Sequence, residues 1–402
     1  MNMTRIKKMI IKRFRSFPST TVSFDNPMFL VGQNGSGKSN LADVFGFVSE
    51  AMVSPIQAVF DRRGGIASVR NRSSGRSYPP NLGIAFELGE VNGVKGGRYA
   101  FEVKAEPNYG FQILREQCLV ILRGGKRWWY DRAKLWTSNA TGLTPALEPS
   151  ALCLPLVGGD ERFAPVFRTL SAMRVYAIEP AKLREMQDPD SGVALKADGG
   201  NAASVLQELL RGEGAEERGK TINQILETIV PATKSVLPKK HGKKLSLAFS
   251  QEWGGGKKLN FEAYNMSDGT LRSLGLIMAV FQKPSPSVLV IEEPESTIHP
   301  GALGAVLDLI RQAGRTMQVL ITTHSPELLG AKWIQDTNLR IVEWKDGASQ
   351  VYLPSMASRE AMQKHLMGAG ELLRSNALHS DSEALFAGSD DLRDGNLFED
   401  LS

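Results

Sequence analysis

The sequence predicts an α/β fold: a parallel sheet, an antiparallel β subdomain and a helical insertion. Three observations point there. Gly32-Gln-Asn-Gly-Ser-Gly-Lys-Ser39 fits the phosphate-loop pattern G-x-x-x-x-G-K-[ST], set between an apolar strand and a helical pattern. Residues 82–130 alternate apolar and polar side chains with period two, as an antiparallel meander does. Residues 269–353 alternate helices and strands in the rhythm of a largely parallel sheet covered on both faces.

Taken in order, residues 4–14 and 20–24 read as a hairpin with Phe17-Pro-Ser-Thr in its turn, and Met28–Val31 as the strand feeding the phosphate loop. Leu41 to Met52 is the helix after the loop, and the Arg, Gly, Ser and Pro of 61–81 read as a connecting loop. Asn92-Gly93 and Asn108-Tyr-Gly110 mark turns of the meander. Helical patterns fill 160–230: one begins at Asp160-Glu161, another at Glu179-Pro180, and a third is capped by Asn201 and runs through Leu206, Leu209 and Leu210. A second hairpin turns at Gly254-Gly-Gly256 within 245–262. Helices 269–282 and 301–313 then alternate with strands 288–291, 319–323, 339–344 and 349–353. Met362, Leu366, Ala369 and Leu373 put one apolar face on a helix over 356–375. No sustained heptads and no internal repeat occur, which argues against a long coiled-coil arm.

At 402 residues, 42% hydrophobic and 23% charged, the chain has room for two or three domains, or one large domain with an insertion. Cys118 and Cys153 match no metal spacing, so reduced thiols in a cytoplasmic setting are expected. No apolar run is long enough for a membrane span, and Met9-Ile-Ile11 is too short for a signal peptide. The net charge of +5 hides an acidic end: residues 380–402 hold seven acids and one arginine. Basic clusters at Arg5 to Arg15, Arg62 to Arg76 and Lys234 to Lys244 fit either a DNA or RNA footprint or solvated faces.

The loop's chemistry explains its residues. Glycines let successive N–H groups converge on phosphate oxygens, Lys38 reaches the β/γ-phosphates, and the Ser39 hydroxyl can ligate Mg²⁺. ATP hydrolysis also needs an acid for the cation and a group to orient water. Val288-Leu-Val-Ile291 delivers Glu292-Glu293-Pro-Glu295 at a strand's carboxyl end, where ligands of open α/β sheets bind. Ile321-Thr-Thr-His324-Ser-Pro326 ends another strand in a histidine, and Met266-Ser-Asp-Gly-Thr-Leu271 opens a helix.

Together with Tyr176 to Arg184 and Asp198 to Leu206, these segments resemble the ABC-type ATPase heads of the RecF/SMC/OLD superfamily, nearest to RecF-like AAA-family ATPases of bacteria, over about residues 4–353. The resemblance implies a P-loop NTPase with an ABC-ATPase-like head. The lobes would be 1–150 (N-terminal lobe with meander), 151–244 (helical insertion), 245–355 (C-terminal lobe) and 356–402 (helix and acidic tail). It makes Gly32, Gln33, Asn34, Gly35, Ser36, Gly37, Lys38, Ser39 and Asn40 the Walker A loop, with ATP and Mg²⁺ as ligands. Glu292 would hold the cation with Ser39, Glu293 would polarise the attacking water, and His324 would sense the γ-phosphate. Ser267, Asp268, Gly269 and Thr270 would be a signature loop capping ATP on the opposing subunit of a homodimer. Position 292 carries glutamate where the superfamily usually has aspartate, and Gln57 is a weak choice for the Q-loop. The output would be a changed grip on nucleic acid or on an operon-encoded effector, in repair or phage defence. A slowly or non-hydrolysing nucleotide-gated clamp that sequesters the effector, a toxin or nuclease, is the alternative. An intrinsic nuclease is poorly supported, because Asp188-Pro-Asp190 reads better as a turn.

Overall fold

The computed structural model describes residues 5–71, 81–90, 94–107, 110–231, 233–253, 257–381 and 396–401. β1 (Ile6–Phe14) and β2 (Phe17–Ser23) form the expected hairpin, but the turn is Arg15-Ser16 rather than Phe17 to Thr20. Burial decides this: Phe14 and Phe17 pair across the turn, both fully buried. Pro18 is tolerated because β2 is an edge strand, where a missing N–H is affordable. β3 (Met28–Val31) enters the phosphate loop and α1 (Lys38–Val53) leaves it.

Then come α2 (Ile56–Asp61) and α3 (Ile66–Val69). α3 lies inside the stretch read as loop, because burial of Ile66 and Val69 overrides its Gly- and Arg-rich surroundings; residues 72–80 lie outside the described residues. β4 (Asn81–Leu88), β5 (Val94–Ala105), β6 (Phe111–Leu122), β7 (Arg127–Arg132) and β8 (Trp136–Ser138) are the meander. With the hairpin they form a seven-stranded antiparallel sheet, ordered β2-β1-β4-β5-β6-β7-β8. Asn92-Gly93 and Asn108-Tyr109 of its expected turns lie outside the described residues.

The middle stretch holds α4 (Leu154–Val157), α5 (Ala164–Ser171), β9 (Arg174–Tyr176), α6 (Pro180–Arg184), α7 (Ala202–Leu209) and α8 (Ala215–Ile229). Asp160 does not start a helix; its carboxylate accepts from the backbone N–H and guanidinium of Arg162, and α5 begins later. Asn201 precedes α7 but caps nothing. Its side chain accepts from the Lys196 N–H and donates to Ala194 O and Asp190. β10 (Thr233–His241) joins the anticipated hairpin of β11 (Lys244–Trp253) and β12 (Lys257–Glu262) as a third strand. The turn at Gly254–Gly256 lies outside the described residues.

The last part runs α9 (Asp268–Phe281), β13 (Val288–Glu292), α10 (Leu303–Ala313), β14 (Gln318–Thr323), β15 (Leu339–Lys345), β16 (Ala348–Tyr352), α11 (Met356–Gln363) and α12 (Ala369–Arg374). The single helix expected over 356–375 is thus two. His365 takes φ 53°, the left-handed region, and Leu366, assigned to the apolar face, is 72% exposed at the break.

Six strands make the central sheet, ordered β16-β15-β3-β14-β13-β9, parallel from β15 to β9. Its strands are buried on both faces, and the period of two sorts them. Met28, Leu30, Val290 and Leu320 pack with α1 against the antiparallel sheet. Phe29, Val31, Leu289, Ile291 and Ile321 join the core under α7, α8, α9 and α10. Each such fully buried side chain contributes about 1.5–3 kcal/mol. This two-sided burial fixes the strand order and sets the carboxyl ends of β3, β14 and β13 side by side.

Candidate active site

Helix α1 starts at Lys38 behind Gly37, which has φ 111° and offers no side-chain cap. Its first-turn N–H groups therefore lack intrahelical acceptors and carry the positive end of the helix dipole. Steric room sets two of the glycines. A Cβ on Gly37 would lie 2.2 Å from Ser349 Oγ, and one on Gly32 would lie 2.2 Å from Val342 O. Gly35 (φ 77°) has nothing within 4 Å of its missing Cβ, so that side of the loop is open. Lys38 Nζ donates to Gly32 O at 2.7 Å and to Gln33 O at 2.9 Å, inside the loop. Burial lowers its pKa, against the pull of Glu293, Glu295 and Glu292.

A hydrogen-bond chain braces the loop from behind. Asn40 Nδ2 donates to Ser16 Oγ at 2.8 Å, Ser16 and Ser349 share a hydroxyl contact at 2.7 Å, and Ser349 Oγ donates to Ser36 O at 2.7 Å. Asn40, expected on the nucleotide, thus ties the loop to the β1–β2 turn. Ser16 and Ser349 carry no sequence signal, since only the fold brings them together. Ser36 Oγ itself is buried with no hydrogen-bond partner among the described residues.

The acidic half faces the loop. Glu292 ends β13, where burial raises its pKa and a hydrogen bond with Ser39 opposes the rise. Glu293 takes φ 44°, unusual for a side-chain-bearing residue, and its N–H donates to Thr322 O at 3.0 Å and lies 3.2 Å from Thr322 Oγ1. Glu293 Oε1 stands 3.3 Å from His324 Nδ1. Thr323 Oγ1 donates to Glu295 at 2.6 Å, and Arg272, one turn into α9, donates to Glu293 O at 3.1 Å. Arg272, Thr322 and Thr323 lie within the motif segments, but their spacing alone assigned them no task.

The structure therefore brings together Gly32 to Ser39, Glu292, Glu293 and His324. A cavity of about 750 Å³ runs along Gly32 to Ser36 and His324 to β15 and to Leu373, Asn376, Leu378 and His379. Ser267, Asp268, Gly269 and Thr270 stand apart: no hydrogen bond or ion pair among the described residues joins them to the loop. Ser267 Oγ caps α9 by accepting from Thr270 N, Asp268 pairs with Arg184 at 2.5 Å, and a Cβ on Gly269 would lie 2.7 Å from Thr297 O. Gln57 donates to Asp61 one turn away on an exposed face, so nothing links it to the loop. Asp190 accepts from Gly192 N in a turn, and Asp188 pairs with Lys244.

The donor set fits Mg²⁺ with a nucleotide. Mg²⁺ takes one or two protein oxygens and completes its shell with phosphate and water, which is what Ser39 and Glu292 offer. No cluster of three or more His, Cys, Asp or Glu suited to an all-protein metal site occurs among the described residues. The basic clusters spend charge internally: Arg15 and Arg63 on Asp43, Arg62 on Glu50, Lys239 on Glu262 and Lys244 on Asp188. Among the described residues no helix is long and apolar enough to cross a membrane.

A family model described as "AAA domain, putative AbiEii toxin, Type IV TA system" matches residues 28–139 and 161–330. No curated protein matches the chain. Among solved structures, an SMC head bound to the C-terminal winged-helix domain of ScpA shares 15% identity at a TM-score of 0.56, covering 89% of this chain and 99% of that one. An SMC head domain from Pyrococcus furiosus with an extended coiled coil, bound to the C-terminal domain of ScpA, shares 14% identity at 0.53, covering 90% and 100%. At such identities the likeness concerns the fold: this is a P-loop NTPase with an ABC-ATPase-like head.

Proposed function

The chain belongs to the AAA-domain family that matches most of its length, and on that premise we propose that it is an ATPase that closes head to tail with a second copy when ATP is bound. The observation that carries this reading is the meeting of the phosphate loop, Glu292, Glu293 and His324 at the carboxyl ends of β3, β13 and β14.

In this reading Lys38 and the first-turn N–H groups of α1 would hold the β- and γ-phosphates, while Ser39 and Glu292 would hold Mg²⁺. When bound there, Mg²⁺ would supply charge neutralisation to the phosphate oxygens. Glu293, turned toward the site by its left-handed backbone, accepts a hydrogen bond from the attacking water, and His324 fixes the carboxylate's orientation. Arg272 anchors the carbonyl of Glu293 and so links α9, the helix opened by Ser267 to Thr270, to the water-orienting residue. The separation of that loop from the chain's own phosphate loop supports a site completed by a second copy. We assign 1–150, 151–244, 245–355 and 356–402 as N-terminal lobe, insertion, C-terminal lobe and tail. The insertion lends β9 to the central sheet, so it is a built-in layer of the head rather than a detachable module.

The closed dimer would change its grip on nucleic acid or on a protein partner, in repair or phage defence. A second reading, a slow or non-hydrolysing clamp on an operon-encoded effector, draws support from the family description, which names a toxin–antitoxin system, and from the SMC heads solved in complex with a domain of ScpA. Equilibrium ATP binding and steady-state turnover separate the two. Lys38→Ala should abolish both, and Glu293→Gln should keep binding and lose turnover; wild-type binding without turnover selects the clamp.

A further inference from the structure

One face of the seven-stranded sheet carries a trench floored by Ala85 and Ala100. Ile10, Ala85, Ala100, Gln117, Asp131 and Thr137 are successive cross-strand partners and form one row across it. Residues 396–401 lie in this trench. Leu397 is buried against Ile10, Ala85 and Ala100, and a Cβ on Gly83 would lie 2.2 Å from Leu397 Cδ1, so a side chain there would make the leucine shift. The Arg115 guanidinium sits 4.6 Å from the Phe398 ring centroid.

Arg98, only 7% exposed, pairs with Glu399 at 2.5 Å and donates to the carbonyls of Asn396 and Leu397. Gln117, also buried, reads the backbone of Glu399 in both directions: Nε2 donates to its O at 2.9 Å, and Oε1 accepts from its N–H at 3.0 Å. Beside the segment a groove of about 400 Å³ runs over Trp129, Asp131 and Thr137.

These contacts read both the side chains and the backbone of the segment. A leucine pocket, a cation over an aromatic ring, a guanidinium for a carboxylate and an amide for the main chain together match Leu-Phe-acid with the chain bent at Leu397 and Phe398. Arg98 also has Glu87 of the sheet at 3.6 Å, so the Glu399 carboxylate is its second and closer acidic partner, and an occupant that brings a carboxylate gains that contact. We propose that this sheet face is a docking site for a short acidic Leu-Phe-Glu-type peptide, occupied in the resting chain by its own residues 396–401 as a displaceable internal ligand. The acidic tail is then a competitor for partners bearing such a segment. Covalent tethering gives it an effective concentration near the millimolar range, so a partner binds well only once the tail is out.

The test uses full-length protein without nucleotide, and so stands apart from the ATPase reading. A fluorescent peptide of the sequence of residues 395–402 is titrated against wild type and against Leu397→Asp, whose own tail can no longer seat. The expected result is binding to Leu397→Asp about tenfold or more tighter than to wild type, lost when the peptide itself carries aspartate in place of leucine. Equal binding to both proteins, no binding to Leu397→Asp, or retention by the substituted peptide would each overturn the proposal. A wild-type dimer that Leu397→Asp dissolves would overturn the internal assignment, since the tail would then be exchanged between copies.

Discussion

Glu293 is the residue on which the chemistry turns, and its setting prescribes what its loss does. A positioned carboxylate that orients or deprotonates water contributes about 10²–10⁴-fold to a rate, so Glu293→Gln should cut kcat by that factor while ATP affinity stays within about twofold. Glu292 makes a pH prediction. Burial raises its pKa, so through the mildly acidic range it keeps a proton that an exposed glutamate has shed. A cation must displace that proton, hence Mg²⁺-dependent ATP binding should strengthen as pH rises above the ordinary glutamate range; a flat titration contradicts the assignment. In the absence of a cation the sign for stability is opposite: the folded chain holds the extra proton, so this residue's contribution falls as pH rises through the same window. The two thiols should be inert at pH 8. Burial and Glu116 push Cys153 up to about 12 and Cys118 well above the usual thiol value, and both are buried. Alkylation should therefore wait for unfolding; fast native labelling of either cysteine would contradict this packing.

Among the elements, β6 carries the most exacting contact. Glu116 is fully buried and accepts from the hydroxyls of Tyr99 and Tyr130 and from the backbone N–H groups of Cys153 and Leu154, with Arg132 at 3.7 Å. It ties the meander to the start of α4. Glu116→Gln puts an amide N–H₂ where an acceptor is needed, and should destabilise the chain by roughly 1–3 kcal/mol, read as a lower urea midpoint at unchanged slope. Legibility in the sequence followed how local each cause was. The apolar runs of β3, β13 and β14 and the alternation of β4 and β5 were readable because two-sided or one-sided burial writes itself into consecutive residues. β9 was not: three residues are too few to show a period, and its place is set by pairing with β13. β10 was hidden by Pro238 and its lysines. α11 and α12 read as one helix because apolar spacing runs through Leu366, while the backbone breaks there.

At the scale of the molecule, the phosphate loop, Glu292, Glu293 and His324 were legible as a set because each sits at a strand end with its motif around it. The brace of Ser16 and Ser349 was not, being a product of tertiary contact alone, and neither was the seat of Leu397 on a distant sheet. What motif order could not say is where the Ser267 to Thr270 loop lies: it opens α9 and makes no hydrogen bond to the chain's own phosphate loop among the described residues, which accords with the proposed head-to-tail pair. The measurement that tests this most directly is the mass in solution of wild type and Glu293→Gln, with and without ATP and Mg²⁺, beside their ATP turnover. The account predicts a turning-over wild type that is only transiently dimeric and a Glu293→Gln chain that accumulates as an ATP-dependent dimer, dispersed by Ser267→Arg. A Glu293→Gln chain that binds ATP but keeps the mass of a single copy at every protein concentration would contradict it.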